Sequence, residues 1–145
     1  MKYIKYFLQF IFAIISFLIF KILGPHKSSN LSGKIFEIIG PFFRSKKIIE
    51  KNISFAFPTA DKKLNKSIIN KMWKSYGKIL AEYMFIKYFR KNNSEKFLEI
   101  KGQNILKKIK DSNSPVIFVS GHFDNFELMA MHIEKSGVDI AAIYR

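Results

Sequence analysis

The sequence predicts an α/β protein with an N-terminal membrane helix and amphipathic helices, followed by the start of a mostly parallel sheet flanked by helices. Three observations predict this class: an apolar N-terminal stretch, apolar residues every three or four positions in the middle, and short β-branched runs alternating with helical segments towards the end. With 145 residues the chain is long enough for one domain with a hydrophobic core.

The N-terminal stretch is predicted to be a membrane anchor over residues 1–23. Tyr6–Phe20 is apolar except for Gln9 and Ser16, and counting on to Leu23 brings the stretch to the ~20 residues that a membrane-spanning helix needs. The alternatives are a cleaved signal peptide and a buried core helix. No small-residue cleavage pattern follows the stretch, and it has no polar face that a core helix would turn to water.

Residues 24–30 form a cluster of helix breakers that predicts a linker, so that residues 31–145 would make up the remaining domain. Within that domain, residues 31–57 alternate short apolar patches with the basic run Arg44–Lys47. This pattern fits short amphipathic helices that lie on a bilayer, and equally a helix pair with a solvated basic face.

The rest of the chain changes from one long helix to alternating short elements. Apolar spacing predicts an amphipathic helix from about Asp61 to near Arg90. The later elements, in order, are a strand at 97–100, a helix at 104–110, a strand at 116–119, a helix at 126–135 and a strand at 138–144. Such alternation predicts a parallel sheet. We expect that sheet to be incomplete where the chain stops.

The chain carries a net charge of +14, which favours phosphate-bearing partners such as a membrane surface or nucleic acid. Its only arginines are Arg44, Arg90 and Arg145, whereas proteins that read base edges rely on arginine. We therefore expect an anionic bilayer and no nucleic acid as partner. The absence of cysteine excludes disulfides and thiolate metal sites, and fits a body that faces the cytosol.

The stretch from Ser114 to Met129 contains a candidate acid/base pair, His122 and Glu127. Residues five apart lie ~140° apart around a continuous helix, so the pair can meet only if His122 is in a loop and Glu127 in the first turn of a helix. A carboxylate on the imidazole would fix its tautomer and leave the other nitrogen as a general base.

A purely structural interpretation of the same residues is a capping box, in which Asp124 or Asn125 caps the helix and Glu127 returns to a backbone N–H. Spacing leaves both interpretations open. His122 and Asp124 could also suggest a metal site, but no third ligand lies near them in the sequence, so no metal is expected.

GHFDNFELM, from Gly121 to Met129, resembles the signature of the lipid A biosynthesis acyltransferases, the pattern H-x-x-x-x-E in a setting close to G-H-F-G-N-W-E. Other features follow in the family's order: the membrane segment, Asn52 with Phe57-Pro58, the long helix, the strand, and the final Ile143-Tyr144-Arg145. Two positions depart from the pattern, Asp124 in place of glycine and Phe126 in place of tryptophan.

The resemblance covers almost the whole chain, but the family's proteins are longer. The chain therefore resembles an N-terminal half, and this fragment alone is expected to be inactive.

The resemblance implies that His122 is the general base and Glu127 its orienting partner, with Asn125 and Arg145 in substrate binding. It implies transfer of a fatty acyl group from the thioester of acyl carrier protein to a hydroxyl of a lipid A precursor, without cofactor or metal. The expected location is the bacterial inner membrane, with the catalytic body on the cytoplasmic side. The partners implied are acyl carrier protein, a membrane glycolipid acceptor and the anionic bilayer.

Two alternatives stand beside this interpretation. One is an acyltransferase that acts on another glycolipid or phospholipid acceptor. The other is a membrane-associated binding module without enzymatic activity.

Overall fold

The computed structural model describes residues 2–91, 98–112 and 114–142, and 74% of these residues are helical. The chain divides into two compact units, Met1–Met84 and Phe85–Arg145. The first contains α1 (Lys2–Ile39), a 3-10 turn (Gly40–Phe42), α2 (Lys46–Ala56) and α3 (Lys62–Tyr83). The second contains α4 (Ile86–Lys91), α5 (Gln103–Ser112) and α6 (Glu127–Lys135).

Helix α1 is kinked at Gly24, whose φ of 75° and ψ of 171° lie outside the helical region in a conformation that glycine alone adopts readily. Pro25 then opens the second part of the helix, where its missing N–H and fixed φ cost nothing. Across the kink the Ser28 hydroxyl donates to the Phe20 carbonyl at 2.8 Å. Residues 24–30, expected as a linker, are thus helical except at Gly24.

The part of α1 before the kink turns large apolar side chains outward. Tyr3 is 86% exposed, Phe12 71% and Ile22 85%. Within the described residues one helix, Lys2–Phe42, is long and apolar enough to cross a membrane, and 6% of its apolar window is buried. The buried core helix considered above is therefore not what this segment forms, although a signal sequence would meet the same criteria of length and composition.

The part of α1 after the kink packs against α3 through small residues. Ser32 and Gly33 are buried on α1, and Gly77 is buried on α3. A Cβ added to Gly77 would lie 2.4 Å from the Ser32 carbonyl oxygen and 2.6 Å from the Cβ of Phe36. The two backbones are therefore close enough at this crossing to exclude any side chain at Gly77.

The core of the first unit lies beside this crossing. Ile49 and Ile53 of α2 are buried against Trp73 of α3, and partly buried side chains of α1 and α3 pack around them. Helix α3 begins where the Asp61 carboxylate accepts the backbone N–H of Leu64 at 2.7 Å, an N-cap that stabilises such a helix by ~1 kcal/mol. Capping and burial together therefore fix α3 in place.

In the second unit, α4 and α6 contact each other. Both helices carry buried apolar side chains, namely Phe89 on α4 and Met131 and Ile133 on α6. Arg90 Nη2 lies 2.6 Å from Glu134 Oε1, which joins the same two helices. Because both partners are about half exposed, this ion pair contributes little to stability.

The predicted helices are found with revised bounds. The segments 104–110 and 126–135 are confirmed as α5 and α6. The long helix expected from Asp61 to Arg90 is interrupted, because α3 ends at Tyr83 and α4 begins at Ile86. At this point the chain passes from the first compact unit to the second.

The predicted parallel sheet is wrong, since residues 2–91, 98–112 and 114–142 contain no strand and are mostly helical. Val116–Val119 was expected to be covered on both faces, yet Ile117 and Val119 are each 92% exposed. A β-branched run favours an extended backbone, but a strand exists only where its N–H and C=O groups pair with a neighbour.

The other two predicted strands supply no such neighbour. Residues 98–100 and 138–142 are irregular as well. Phe97 and residues 143–144, which complete those predicted strands, lie outside the described residues.

We expect Gly77→Ala to destabilise the protein by about 1–3 kcal/mol, because the added methyl group must push the α1 and α3 backbones apart. The better intrinsic helix propensity of alanine would by itself act in the opposite direction. Urea unfolding in detergent micelles, followed by circular dichroism, measures the difference. Lys63→Ala on the exposed face of α3 serves as the control and should stay within ~0.5 kcal/mol. Equal stability of the Gly77→Ala protein and the parent would contradict the close crossing.

Candidate active site

The candidate site is formed by the loop Gly121–Phe126, which leads directly into α6. The Phe123 N–H donates to the Gly121 carbonyl at 2.9 Å, which closes a tight turn around His122. A Cβ on Gly121 would lie 2.5 Å from Cε2 of the Phe123 ring, so glycine lets that ring fold back over the turn. This turn leaves the His122 side chain exposed.

The chain bends at Asp124 before α6. The φ of 45° at this residue lies in the left-handed region, which glycine enters freely and which aspartate and asparagine enter more readily than most other residues. The resemblance to the acyltransferases places glycine at this position. The backbone conformation gives the physical reason for that glycine and for the tolerance of aspartate.

The imidazole of His122 stacks on the ring of Phe126. Their centroids are 4.2 Å apart and their planes differ by 5°. A parallel stack contacts the face of the imidazole, whereas both ring nitrogens lie in its plane and point away from the contact. Phe126 thus defines the plane of His122 without occupying the atoms that would exchange protons.

Glu127 is the first residue of α6 and is half buried. A carboxylate in the first turn is favoured by the helix dipole, whatever else it does. The N-cap is Phe126, which makes no side-chain capping bond. With Phe126 as the N-cap, Glu127 stands two residues before the helix position that the glutamate of a capping box occupies.

His122 and Glu127 lie in the segments that an acid/base pair requires, one in the loop and the other in the first helical turn. Among the hydrogen bonds and ion pairs of the described residues, none joins them, and the contact of His122 is the stack on Phe126.

Of the other two predicted site residues, Asn125 is half buried beside His122, and its backbone carbonyl accepts the Leu128 N–H at 3.1 Å at the start of α6. Arg145 lies outside the described residues. Within the described parts of the chain, no three His, Asp or Glu side chains are grouped as metal ligands would be.

Two features of the structure were missed by the sequence. His132 lines a cavity of about 610 Å³ with Lys107 and Lys110 of α5. Trp73 is buried, but its Nε1 has no hydrogen-bond partner. This unpaired donor depends on the packing of three helices and leaves no signal in the sequence.

A family profile described as bacterial lipid A biosynthesis acyltransferase matches residues 1–145, the whole chain. Comparisons with curated proteins and with solved structures find no significant match. The profile match includes both the exposed apolar helix and the loop that carries His122. Because it extends over the entire chain, the protein belongs to the bacterial lipid A biosynthesis acyltransferase family.

Proposed function

We propose that the chain provides the histidine and glutamate of a membrane-bound acyltransferase, which moves a fatty acyl group from acyl carrier protein to a hydroxyl of a lipid A precursor. Family membership supports an acyltransferase role. The observation that carries the assignment of residues is the exposed His122, stacked on Phe126 immediately before Glu127 opens α6.

In the proposed reaction His122 accepts the proton of the acceptor hydroxyl as the hydroxyl oxygen attacks the carbonyl carbon of the acyl thioester. The tetrahedral adduct collapses with cleavage of the carbon–sulfur bond, and the imidazolium returns its proton to the departing thiolate. The products are an acyl ester and free thiol, so protons and electron pairs balance. General-base catalysis of this kind contributes typically ~10²–10⁴-fold.

Glu127 would orient the imidazole and stabilise the imidazolium by its negative charge. His122 is exposed, and in the proposed reaction its side chain leaves the stack on Phe126 and contacts the carboxylate. Catalytic hydrogen bonds often tighten only when substrate is bound. Asn125 and Arg145 remain our candidates for contacts with the substrates.

The membrane anchor and the charge complete the proposal. The apolar part of α1 would lie in the bacterial inner membrane, and the lysine-rich body would face the anionic lipids of the cytoplasmic leaflet. The net charge of +14 would also steer the acidic acyl carrier protein towards the enzyme.

His122→Ala should lower acyl transfer by about 10²–10⁴-fold, because the general base is removed. The assay measures transfer of labelled acyl groups from acyl carrier protein to a lipid A precursor. It uses membranes that contain the full-length protein. His132→Ala, the same substitution within α6, is the matched control and should leave turnover within a few-fold of the parent. Full activity of the His122→Ala protein would refute the site.

Glu127→Gln tests the carboxylate at constant size and should lower turnover by at least about 10²-fold, since the amide cannot stabilise an imidazolium. Stability should fall only by the ~0.3–1 kcal/mol that the helix dipole contributes to a carboxylate in the first turn. A Glu127→Gln enzyme that matches the parent in rate and pH profile would mean that the glutamate is not the partner of His122.

Asp124→Gly should stabilise the protein by about 0.5–1 kcal/mol and preserve turnover, because glycine adopts the left-handed conformation without a Cβ clash. Thermal unfolding and the transfer assay are the two readouts. Asp124→Asn removes the charge of the side chain but keeps a residue that tolerates positive φ. Its stability should therefore stay close to that of the parent. Loss of stability in the glycine variant would show that the Asp124 side chain stabilises the protein by more than its backbone strain costs.

The anchor is tested by alkaline carbonate extraction, which should leave the intact chain in the membrane pellet because the apolar part of α1 has no polar face. Deletion of residues 2–23 should release the remainder to the supernatant. A mature protein that begins after residue 23 would identify a signal peptide and overturn the anchor.

A further inference from the structure

Two neighbouring cavities open in the first unit, Met1–Met84, and nothing in the proposed chemistry uses them. One has a volume of about 800 Å³ and an apolar lining. The other has a volume of about 680 Å³ and a basic lining. Arg44, Ile49 and Trp73 line both, so the two cavities are adjacent and share part of their wall.

The apolar cavity is lined by side chains of α1, α2 and α3, including Phe36, Ile53 and Leu80. Its volume lies in the range of small-molecule sites, roughly 300–1,000 Å³. A cavity of this size with an apolar lining suits an aliphatic chain.

The basic cavity is lined by four cationic side chains and one carboxylate, Glu50. The cationic side chains are those of Arg44, Lys46, Lys62 and Lys66. Glu50 Oε1 lies 3.6 Å from Lys46 Nζ, and within the described residues Arg44, Lys62 and Lys66 have no ion-pair partner. Because these three charges are not neutralised by the protein, the cavity attracts an anion.

Two helices also begin at the basic cavity. Lys46 is the first residue of α2 and Lys62 is the first residue of α3. The positive end of the α2 dipole, where Ser45 makes no side-chain capping bond, therefore adds to the potential of the side chains, whereas the Asp61 carboxylate already caps α3.

Trp73 stands where the cavities meet and supplies an independent observation. Its side chain is 7% exposed, yet the Nε1 donor has no hydrogen-bond partner. Asn65, which lines the basic cavity, likewise keeps a buried Oδ1 without a partner. Unpaired buried polar atoms cost free energy. An oxygen of a bound anion removes that cost at the indole N–H by accepting from it, whereas Asn65 Oδ1 is an acceptor and needs a donor such as a hydroxyl of the ligand.

We propose that the two cavities together bind one anionic phospholipid, with an acyl chain in the apolar cavity and the phosphate in the basic cavity. The indole N–H of Trp73 would donate to an oxygen of the headgroup. The adjacent α1 segment, proposed to lie in the bilayer, places such lipids within reach. This site goes beyond acyl transfer, since it contains neither His122 nor Glu127.

The test uses the fluorescence of Trp73, which is the single tryptophan of the chain. The full chain in dodecyl maltoside micelles is titrated with phosphatidylglycerol that carries brominated acyl chains, which quench a nearby indole. We expect saturable quenching, at a midpoint concentration about tenfold below that of brominated phosphatidylcholine, because only the former headgroup has a net negative charge. Equal midpoints for the two lipids would overturn the proposal.

The charge-matched variants locate the headgroup. Lys62→Ala/Lys66→Ala removes two cations of the cavity and should raise the midpoint at least about tenfold, since hydrogen bonds to charged groups are the strong ones. Lys63→Ala/Lys71→Ala removes the same charge from α3 outside both cavities and should leave the midpoint unchanged. Circular dichroism confirms that both variants keep their helices. An equal rise of the midpoint in both double variants would show that only net charge matters, and this would refute the site.

Inorganic phosphate distinguishes a lipid from a free anion. At millimolar concentration it should leave the quenching by brominated phosphatidylglycerol nearly intact, because it cannot fill the apolar cavity. Displacement of the lipid by phosphate at an equal concentration would overturn the proposal in favour of a simple anion site.

Discussion

The first unit depends on the close approach of the α1 and α3 backbones at Ser32 and Gly77. Small residues on both helices allow this contact, and the Ser29 hydroxyl supports it by donating to Glu82 Oε1 at 2.8 Å. The approach holds Phe36 of α1 beside the core that Trp73 and α2 complete. Phe36 also lines the apolar cavity, so a change in the α1–α3 crossing would affect both the core and that cavity.

The sequence predicted those helices whose apolar residues recur every three or four positions, because this periodicity depends only on near neighbours. It did not predict the crossing, since serine and glycine at Ser28–Gly33 have the composition of a linker and also the small size that tight helix packing needs. Which role they take is decided by the partner helix. The same holds for Val116–Val119, whose β-branched residues specify an extended backbone but not a neighbour with which to pair.

The local backbone of the candidate site was more predictable than the fold around it. A loop histidine followed by a glutamate at the helix start depends on a few consecutive residues, and the structure places His122 and Glu127 in those segments. The stack on Phe126 and the left-handed conformation of Asp124 required coordinates, because residue types alone do not specify rotamers or φ angles. The unpaired indole N–H of Trp73 was least predictable, since it results from how three helices meet.

The exposed run Val116–Val119 has a consequence for the behaviour of the chain at high concentration. Extended apolar segments with unpaired backbone groups are templates for cross-β association between molecules. The flanking residues limit this hazard: Pro115 has no N–H to donate at one end, and Gly121 resists a regular strand at the other. This short run and its two flanking breakers therefore affect association between molecules separately from the stability of the helices.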